Sequence, residues 1–274
     1  MQREVEIKTR ELATLGSKPG VEALTQQRRV LIVQATVSDL LGKAVTALGD
    51  FRITRAQHLL EKRPAYDKST VQLLTTARNY AEQAFELDPF NMRTKEVMAE
   101  LLSLEASVLD DKGEQGTAAG KLRSAIDLQP NRAFYHSELA SLLLRMGNVE
   151  SALTESRTAL RLDPNGEDYT SLVGMVLAFR GDVEEAVIVF RNMKLPSGQN
   201  EQYFRHYFAG IMLKTLLEVS EAPTMSKVRE KLPKNKLKKA AINELGEYLR
   251  LAPNTAENQE LIVLAKATIL ELEK

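Results

Sequence analysis

The chain has no cysteine and no tryptophan among its 274 residues, and aromatic residues make up 5% of it. The missing cysteine excludes disulfides, thiolate metal sites and cysteine nucleophiles together. The 37 basic and 37 acidic residues cancel, which argues against a uniformly charged surface for nucleic acid or lipid but not against a local patch. Residues 1–15 are charged and unlike a secretory signal, and no stretch approaches the ~18 uncharged apolar residues of a membrane span. We therefore predict a cytoplasmic protein without a membrane span.

What the chain does have is a set of matching residues that recur every 34 positions. Small residues occupy most of two recurring columns, and glycine and proline occupy two more: Ala106, Ala140, Gly174 and then Phe208; Ala118, Ala152 and Ala186; Gly113, Gly147 and Gly181; Pro130 and Pro164. A fixed period in this range predicts a stacked repeat architecture rather than a single globular core.

Residues 131–164 illustrate one unit of the repeat. Apolar spacing predicts a first helix over 132–146 and a second over 149–162. Gly147-Asn148 between them tolerates a left-handed turn, and Pro164 ends the second helix because proline has no amide hydrogen. The small side chains of Ala140 and Ala152 let the two helices approach closely, where a larger side chain would force them apart.

This pattern resembles the tetratricopeptide repeat (TPR) family, through Ala140, Leu143, Gly147, Ala152 and Pro164 and the matching residues of the units on either side. The resemblance implies an all-α fold, a right-handed α-solenoid of TPR-like helix–turn–helix repeats with an irregular N-terminal helical region and a C-terminal capping helix. It also implies a scaffold or adaptor whose concave groove binds a peptide or helix of a protein partner.

Departures from the 34-residue register define the predicted domains. Residues 1–66 are predicted to form the N-terminal helical region, 67–254 the TPR-like array and 255–274 the capping helix. Within the array, seven extra residues after Pro89 lengthen the helix at 92–110. A further 21 or so extra residues form a basic insertion at about 220–238.

The two ends of the chain carry expectations of their own. We expect a helix over 1–15, a linker over 16–20, one long helix over 22–48 and a second helix that ends at Glu61. An alternative is that Val30–Val33 form a buried strand of an α/β domain. In the last helix we expect Leu261, Leu264, Ala265 and Ile269 to form the buried face.

The groove residues follow from the resemblance, by carrying the groove-facing positions of the family onto the first helix of each unit. The candidates are Ser103, Ser107, Phe134, Ser137, Ser141, Arg145, Asp168, Ser171, Met175, Phe179 and Arg205. Chaperone-binding relatives grip a terminal carboxylate with lysines and asparagines at such positions, whereas this chain has serine, acidic residues and methionine. The groove therefore suits an apolar or amphipathic segment better.

The basic insertion is a second candidate surface. Its cations are Lys227, Arg229, Lys231, Lys234, Lys236, Lys238 and Lys239. Such a run is usually a solvated loop and helix start, but it also predicts an alternative function, a regulator that binds nucleic acid or another anionic partner through it or through the N-terminal region. No aromatic residue interleaves the lysines, which argues against nucleic acid. Self-association through an apolar end or groove is left open.

No catalytic residue, metal or cofactor is predicted, and the protein is expected not to be an enzyme. His58, His136 and His206 form neither an HExxH motif nor a close pair in the sequence. His136 takes the place of a packing residue and is interpreted as a core or interface histidine. Neighbouring carboxylates such as Asp110 and Asp111 face different ways on a helix, so they are interpreted as solvated charges.

Overall fold

A computed structural model describes residues 21–61, 66–194 and 202–274, and in these ranges the chain is helical without strands. The described residues form eleven α-helices: α1 Val21–Leu60, α2 Lys68–Leu87, α3 Met92–Asp111, α4 Gln115–Leu128, α5 Ala133–Arg145, α6 Val149–Leu162, α7 Glu167–Arg180, α8 Val183–Arg191, α9 Gln202–Ser220, α10 Lys234–Leu251 and α11 Ala256–Glu273. Two 3₁₀ turns, Pro223–Met225 and Arg229–Lys231, lie between α9 and α10. The predicted all-α class is confirmed, whereas the helix expected over 1–15 and the linker over 16–20 lie outside the described residues.

The chain divides into two compact units, residues 1–130 and residues 131–274. In the first unit α1 packs on α2, α2 on α3 and α3 on α4, and α1 also contacts α3. In the second unit each helix from α5 to α11 packs on the next, and α5 also contacts α7. Packing between successive helices is the defining property of an α-solenoid, and each unit shows it. The domain limits at 66 and 254 and the handedness of a superhelix stay predictions.

The glycine column forms three identical helix ends. Gly113, Gly147 and Gly181 have φ values of 82°, 88° and 103°, a region that side chains with a Cβ atom rarely adopt. After each glycine, the next amide donates a hydrogen bond to the carbonyl five residues earlier, over 2.9–3.0 Å. This is the Schellman motif, which satisfies carbonyls that the helix end would otherwise leave without a donor. The predicted turns of the repeat are thus confirmed.

The columns of small residues lie where the helices of a pair touch. Ala118, Ala140, Ala152 and Ala186 are fully buried. A Cβ atom added to Gly174 on α7 would lie 2.4 Å from the Phe190 ring on α8. Contact this close requires a small residue, so these columns set the spacing of the helices as predicted.

The N-terminal expectations need correction at two points. The helices expected at 22–48 and up to Glu61 are one continuous helix, α1, because Gly49 lies in its interior between Leu48 and Phe51, both of which are buried in the core of the first unit. The alternative of a buried strand at Val30–Val33 is wrong, since Leu31 and Ile32 are helical and more than half exposed. By length and composition α1 could also cross a membrane, a test that core helices pass as well.

The expected buried face of the last helix is also partly wrong. Ala265 is fully buried, and Leu261 and Ile269 pack against the core around Tyr207 and Tyr248. Leu264, however, is 47% exposed. The face that packs on the unit is completed instead by Asn258, Thr268 and Leu272, which are buried. Because Asn258 and Thr268 are polar, the spacing of apolar residues alone did not indicate which face of the helix packs on the unit.

Asp67 caps the N-terminus of α2. Its carboxylate accepts hydrogen bonds from the Ser69 hydroxyl and from the amides of Thr70 and Ser69, and its own amide donates to the Thr70 hydroxyl over 2.9 Å. Such a capping box satisfies amides that lack a partner within the helix. The hydrogen bonds from Ser69 and Thr70 hold the pKa of Asp67 well below its usual range.

We expect Asp67→Ala to lower the thermal midpoint of the chain more at pH 7 than at pH 2. The folded pKa is depressed, so the carboxylate stabilises the fold above its unfolded pKa of about 4 and loses this effect as the pH falls through the folded value. Melting followed by circular dichroism at both pH values would measure this. Asn91→Ala is the matched control, because Asn91 caps α3 with an amide that does not titrate. Equal losses for Asp67→Ala at both pH values would contradict the prediction.

Candidate functional site

Helix α5 leaves one narrow stripe uncovered. Eight of its residues are buried: Ala133, Tyr135, His136, Leu139, Ala140, Leu142, Leu143 and Leu144. The predicted groove residues Phe134, Ser137, Ser141 and Arg145 share the opposite stripe, because they are spaced three to four residues apart. Phe134 is 46% exposed, whereas the other three are half-buried. The structure thus groups the four α5 residues that the sequence proposed.

Helix α7 contributes less than expected. Ser171 and Met175 are half-buried, and the side chain of Asp168 lies outside the described residues. Phe179 is 1% exposed, so its assignment to an open groove is wrong. It lies in the last turn of α7, where it is packed into the core of the second unit. A contact surface on α7 therefore rests on Met175.

Two further candidates are engaged inside the second unit. The Ser171 hydroxyl lies 3.7 Å from the sulfur of Met193, and the Arg205 guanidinium donates to the carbonyl of Arg191 over 2.8 Å. Arg205 thereby caps the C-terminus of α8, where positive charge and hydrogen-bond donors are favourable. Both side chains have a structural role in addition to any contact with a partner.

The two candidates in the first unit are also engaged. Ser103 is 7% exposed, which makes it a core residue rather than a groove residue. The Ser107 hydroxyl lies 3.1 Å from the hydroxyl of Tyr66, within hydrogen-bond distance. Among the described residues, the open part of the predicted groove is therefore the stripe on α5 together with Met175.

The basic insertion packs back onto the second unit. Arg229 donates to the carbonyls of Ser220, Glu221 and Ala222 and so closes the C-terminus of α9. Lys234 forms an ion pair with Glu221. Lys231 donates to the carbonyl of Gly147 over 3.2 Å.

The same insertion buries three apolar side chains, Met225, Val228 and Leu232. Val228 is fully buried beside Gly147, which belongs to the turn between α5 and α6. We call residues 221–233 the strap, because they connect the end of α9 to a turn two helix pairs earlier. Near this contact a cleft of about 640 Å³ is lined by the start of α6 together with Phe179, Arg180 and Lys231.

Of the remaining insertion lysines, Lys236, Lys238 and Lys239 lie at the start of α10 and Lys227 lies in the strap. Lys227, Lys236 and Lys239 are exposed, and Lys238 is half-buried. No acid lies in the first turn of α10, although acids are favoured at that end of a helix. Arg229, Lys231 and Lys234 have internal partners that the sequence did not reveal.

Contacts between ionisable side chains on the two helices of a pair are a feature that the sequence analysis did not predict. The second helices carry Lys121, Glu155 and Glu244 at one repeat position, and each contacts the first helix of its own pair. The partners, in order, are Glu105 at 2.9 Å, His136 at 2.7 Å and His206 at 2.9 Å. The 34-residue repeat could have indicated these contacts. Lys121 and Glu155 are one period apart, and Glu244 occupies the same position when the 21-residue insertion is subtracted.

Glu244 has the most enclosed of these sites in the second unit. Its side chain is 6% exposed and accepts hydrogen bonds from Arg191 on α8 and from His206 on α9. The ion pair with Glu244 raises the pKa of Arg191 above its usual range. Three helices are thus joined by one carboxylate, and this arrangement is one of packing rather than of an open reaction site.

The histidines have the structural role expected of His136. All three are buried, and each lies near a carboxylate, with His58 3.9 Å from Asp67. Within the part of the chain that the structure describes, no group of three or more histidines and acids is placed to hold a metal ion.

Comparison with known proteins gives similarity of fold. The sequence matches no family profile and no curated protein. Among solved structures, the chain is similar to YrrB, a TPR protein with an unusual peptide-binding site (18% identity, 73% of this chain and 86% of that chain, TM-score 0.42). It is similar to a TPR protein from Parabacteroides merdae (12% identity, 81% of this chain and 99% of that chain, TM-score 0.41). It is also similar to an O-GlcNAc transferase from Thermobaculum terrenum, in a mutant form (18% identity, 68% of this chain, TM-score 0.36). The chain spans 26% of the length of that protein. The helix pairs, glycine turns and small-residue crossings described above independently make the fold TPR-like.

Proposed function

We propose that the chain is a non-enzymatic scaffold that binds a peptide or helix of a protein partner through α5 and α7. The observation that carries this proposal is the uncovered stripe on α5. Phe134 is a large apolar side chain, 46% exposed, on a helix whose other apolar residues are buried. An exposed aromatic residue on an otherwise well-packed helix is typical of an anchor that contacts a side chain of a partner.

The chemistry of the stripe favours an amphipathic segment. Helices α5 and α7 contact each other, and Met175 occupies on α7 the repeat position that Ser141 occupies on α5. Methionine adapts its shape to apolar groups, and serine hydroxyls can bond to the polar side of the segment. Because the stripe lies on two packed helices, little ordering of the surface is needed on binding.

A non-enzymatic function is consistent with the roles of the ionisable side chains. The three histidines and the buried Glu105 and Glu244 serve contacts between helices. The predicted alternative, an anionic partner on the basic insertion, has less support because Arg229, Lys231 and Lys234 have internal partners. Binding at the insertion or at the N-terminal region stays a prediction, as does a cytoplasmic location.

We expect Phe134→Ala combined with Met175→Ala to weaken peptide binding at least tenfold. The two changes remove the apolar anchors of the stripe, and a loss of ~1.4 kcal/mol in binding already gives this factor. The probe is a displayed library of random 12-residue peptides, from which the tightest binders of the unaltered chain are selected and titrated against the variant by fluorescence anisotropy.

Ile188→Ala is the matched control, since Ile188 is 55% exposed on α8 and outside the stripe. It should leave the affinity of the selected peptides unchanged. Equal affinity of the double variant and the unaltered chain would remove the stripe from the binding site, and circular dichroism would verify that both variants keep their helicity.

A further inference from the structure

Helix α1 has two apolar faces on opposite sides. One face is buried against α2 and α3 and includes Val37, Leu41, Ala44, Leu48 and Phe51. The opposite side has exposed apolar residues, Leu24 at 56%, Leu31 at 63%, Ile53 at 59% and Leu60 at 84%, together with the small residues Ala35, Gly42, Gly49 and Ala56. The exposed polar residues Arg28, Ser38 and Thr46 lie among them. We call the eight apolar and small residues the α1 stripe. A surface helix of a monomer normally carries polar residues on its outer face.

The α1 stripe reads almost the same in both directions from Gly42. At a distance of seven residues on either side it has Ala35 and Gly49. At eleven residues it has Leu31 and Ile53, and at eighteen residues Leu24 and Leu60. The exception is at fourteen residues, where Arg28 corresponds to Ala56. The centre is small and the ends are bulky on both sides.

This symmetry matches the geometry of a helix. Leu24 and Leu60 are 36 residues apart, which is about ten turns at 3.6 residues per turn, so both lie on the line through Gly42. In an antiparallel pair of helices related by a two-fold axis at Gly42, residues equally far from Gly42 face each other. Each bulky residue of one copy would therefore face a bulky residue of the other.

We propose that the chain forms a homodimer in which the α1 stripes of two copies pack antiparallel, with Gly42 on the two-fold axis. A two-fold interface uses the same patch on both partners, so the patch must be complementary to itself. The symmetry of the stripe meets this requirement, and it identifies a second copy, rather than an unrelated partner, as the occupant.

The centre of the stripe has room for a close crossing. A Cβ atom added to Gly42 or to Gly49 would meet no other atom within 4 Å. Glycine at a crossing allows two helix backbones to approach closely, and the helices then diverge. Leucine and isoleucine at the ends fill the widening gap.

The charges beside the stripe are compatible with this pairing. In the antiparallel arrangement Arg28 faces Ala56, and Asp50 faces Gln34. Arg52, which is paired with Glu100 of its own chain, faces Ile32. Arg29 and Arg55 are the one like-charged pair of α1 at equal distances from Gly42, and the helical period places both on the side of α1 away from the stripe, so repulsion between them does not act across the contact.

The size of the stripe predicts a reversible dimer. Its length of about 54 Å and a helix width of about 10 Å give roughly 500 Å² for each copy. This is below the ~800 Å² of a standard stable interface. We therefore expect association that depends on concentration in the micromolar range, in addition to the proposed binding at α5, which uses the other unit.

The first test is the mass of the chain in solution. Sedimentation velocity between about 1 and 100 μM should show a monomer that converts to a dimer. Gly42→Glu places two carboxylates on the two-fold axis and should shift the dissociation constant upward at least tenfold. Gly120→Glu is the matched control, since Gly120 is also an exposed helical glycine with no atom within 4 Å of an added Cβ.

The second test uses the absence of cysteine, because an introduced thiol can only pair with a thiol of another copy. Gly42→Cys should give a disulfide-linked dimer under mild oxidation. Ala35→Cys alone should not, because its two copies would lie about 21 Å apart, whereas Ala35→Cys mixed with Gly49→Cys should cross-link.

Three outcomes would overturn the proposal. One is a monomer at every concentration, and another is a dimer that Gly42→Glu leaves unchanged. The third is cross-linking of Ala35→Cys to itself, which would mean a parallel pair. The unaltered chain is also mixed with vesicles of phosphatidylcholine and phosphatidylserine. Binding to them without self-association would assign the α1 stripe to a lipid surface and overturn the dimer.

Discussion

Gly210→Ala should destabilise the second unit by about 2 kcal/mol, although alanine favours a helix over glycine by about 1 kcal/mol elsewhere. Gly210 lies where α9 crosses α10. An added Cβ atom would lie 2.7 Å from Cγ of Leu245 and 3.3 Å from the carbonyl oxygen of Ala241. Both neighbours are fully buried, so neither can move aside without shifting α10. The loss would be measured as the free energy of unfolding in urea.

Gly246→Ala is the control for this substitution. Gly246 is also helical, and a Cβ atom there meets no atom within 4 Å, so the change should stabilise the unit by up to about 1 kcal/mol. The two alanines differ in their surroundings rather than in their chemistry. If both substitutions stabilised the chain, the result would contradict the close contact between α9 and α10 at Gly210.

Glu244→Gln should cost about 2–3 kcal/mol in unfolding free energy at pH 7. The carboxylate accepts from Nε of Arg191 at 2.8 Å and lies 2.9 Å from Nδ1 of His206. The amide has one acceptor oxygen in place of two, and its NH₂ group would face the donors of Arg191. Removing one partner of a buried pair leaves the other without compensation, at a cost of about 3–5 kcal/mol. The expected loss is smaller because water reaches Arg191, whose side chain is 40% exposed.

Glu155→Gln provides the comparison. Glu155 occupies the same repeat position, but its side chain is 27% exposed and it lies against His136. We expect a loss of about 1 kcal/mol, since a partly solvated pair contributes less. Urea unfolding of both variants would measure the difference. A loss for Glu155→Gln as large as that for Glu244→Gln would show that the enclosed position of Glu244 is unimportant.

Much of the fold could be predicted because its determinants are local. The left-handed turn at Gly147 and the close contact at Ala152 each restrict one position to one kind of residue. Such restrictions leave a periodic trace in the sequence. The longer α3 was predicted in the same way, since an insertion between two fixed positions must lengthen the element between them.

The candidate site could be predicted less well, because exposure depends on residues far away in the chain. Phe179 matches a groove position by register, yet packing at the end of α7 buries it. Arg229 looks like a free cation in the sequence, but the end of α9 supplies three carbonyls for it. Gly49 suggests a helix break, and burial of Leu48 and Phe51 on either side keeps the helix continuous.

The strap should affect the order in which the helices of the second unit unfold. An ordinary solenoid can fray from its last helix inward, since each pair depends on the one before it. Here Lys231 donates a hydrogen bond to the carbonyl of Gly147, 84 residues earlier in the sequence. This contact links the segment after α9 to the turn between α5 and α6. Opening the unit at its C-terminal side must also release this contact. We therefore expect the helix pairs between these two contacts to unfold together rather than one after another from the C-terminal side.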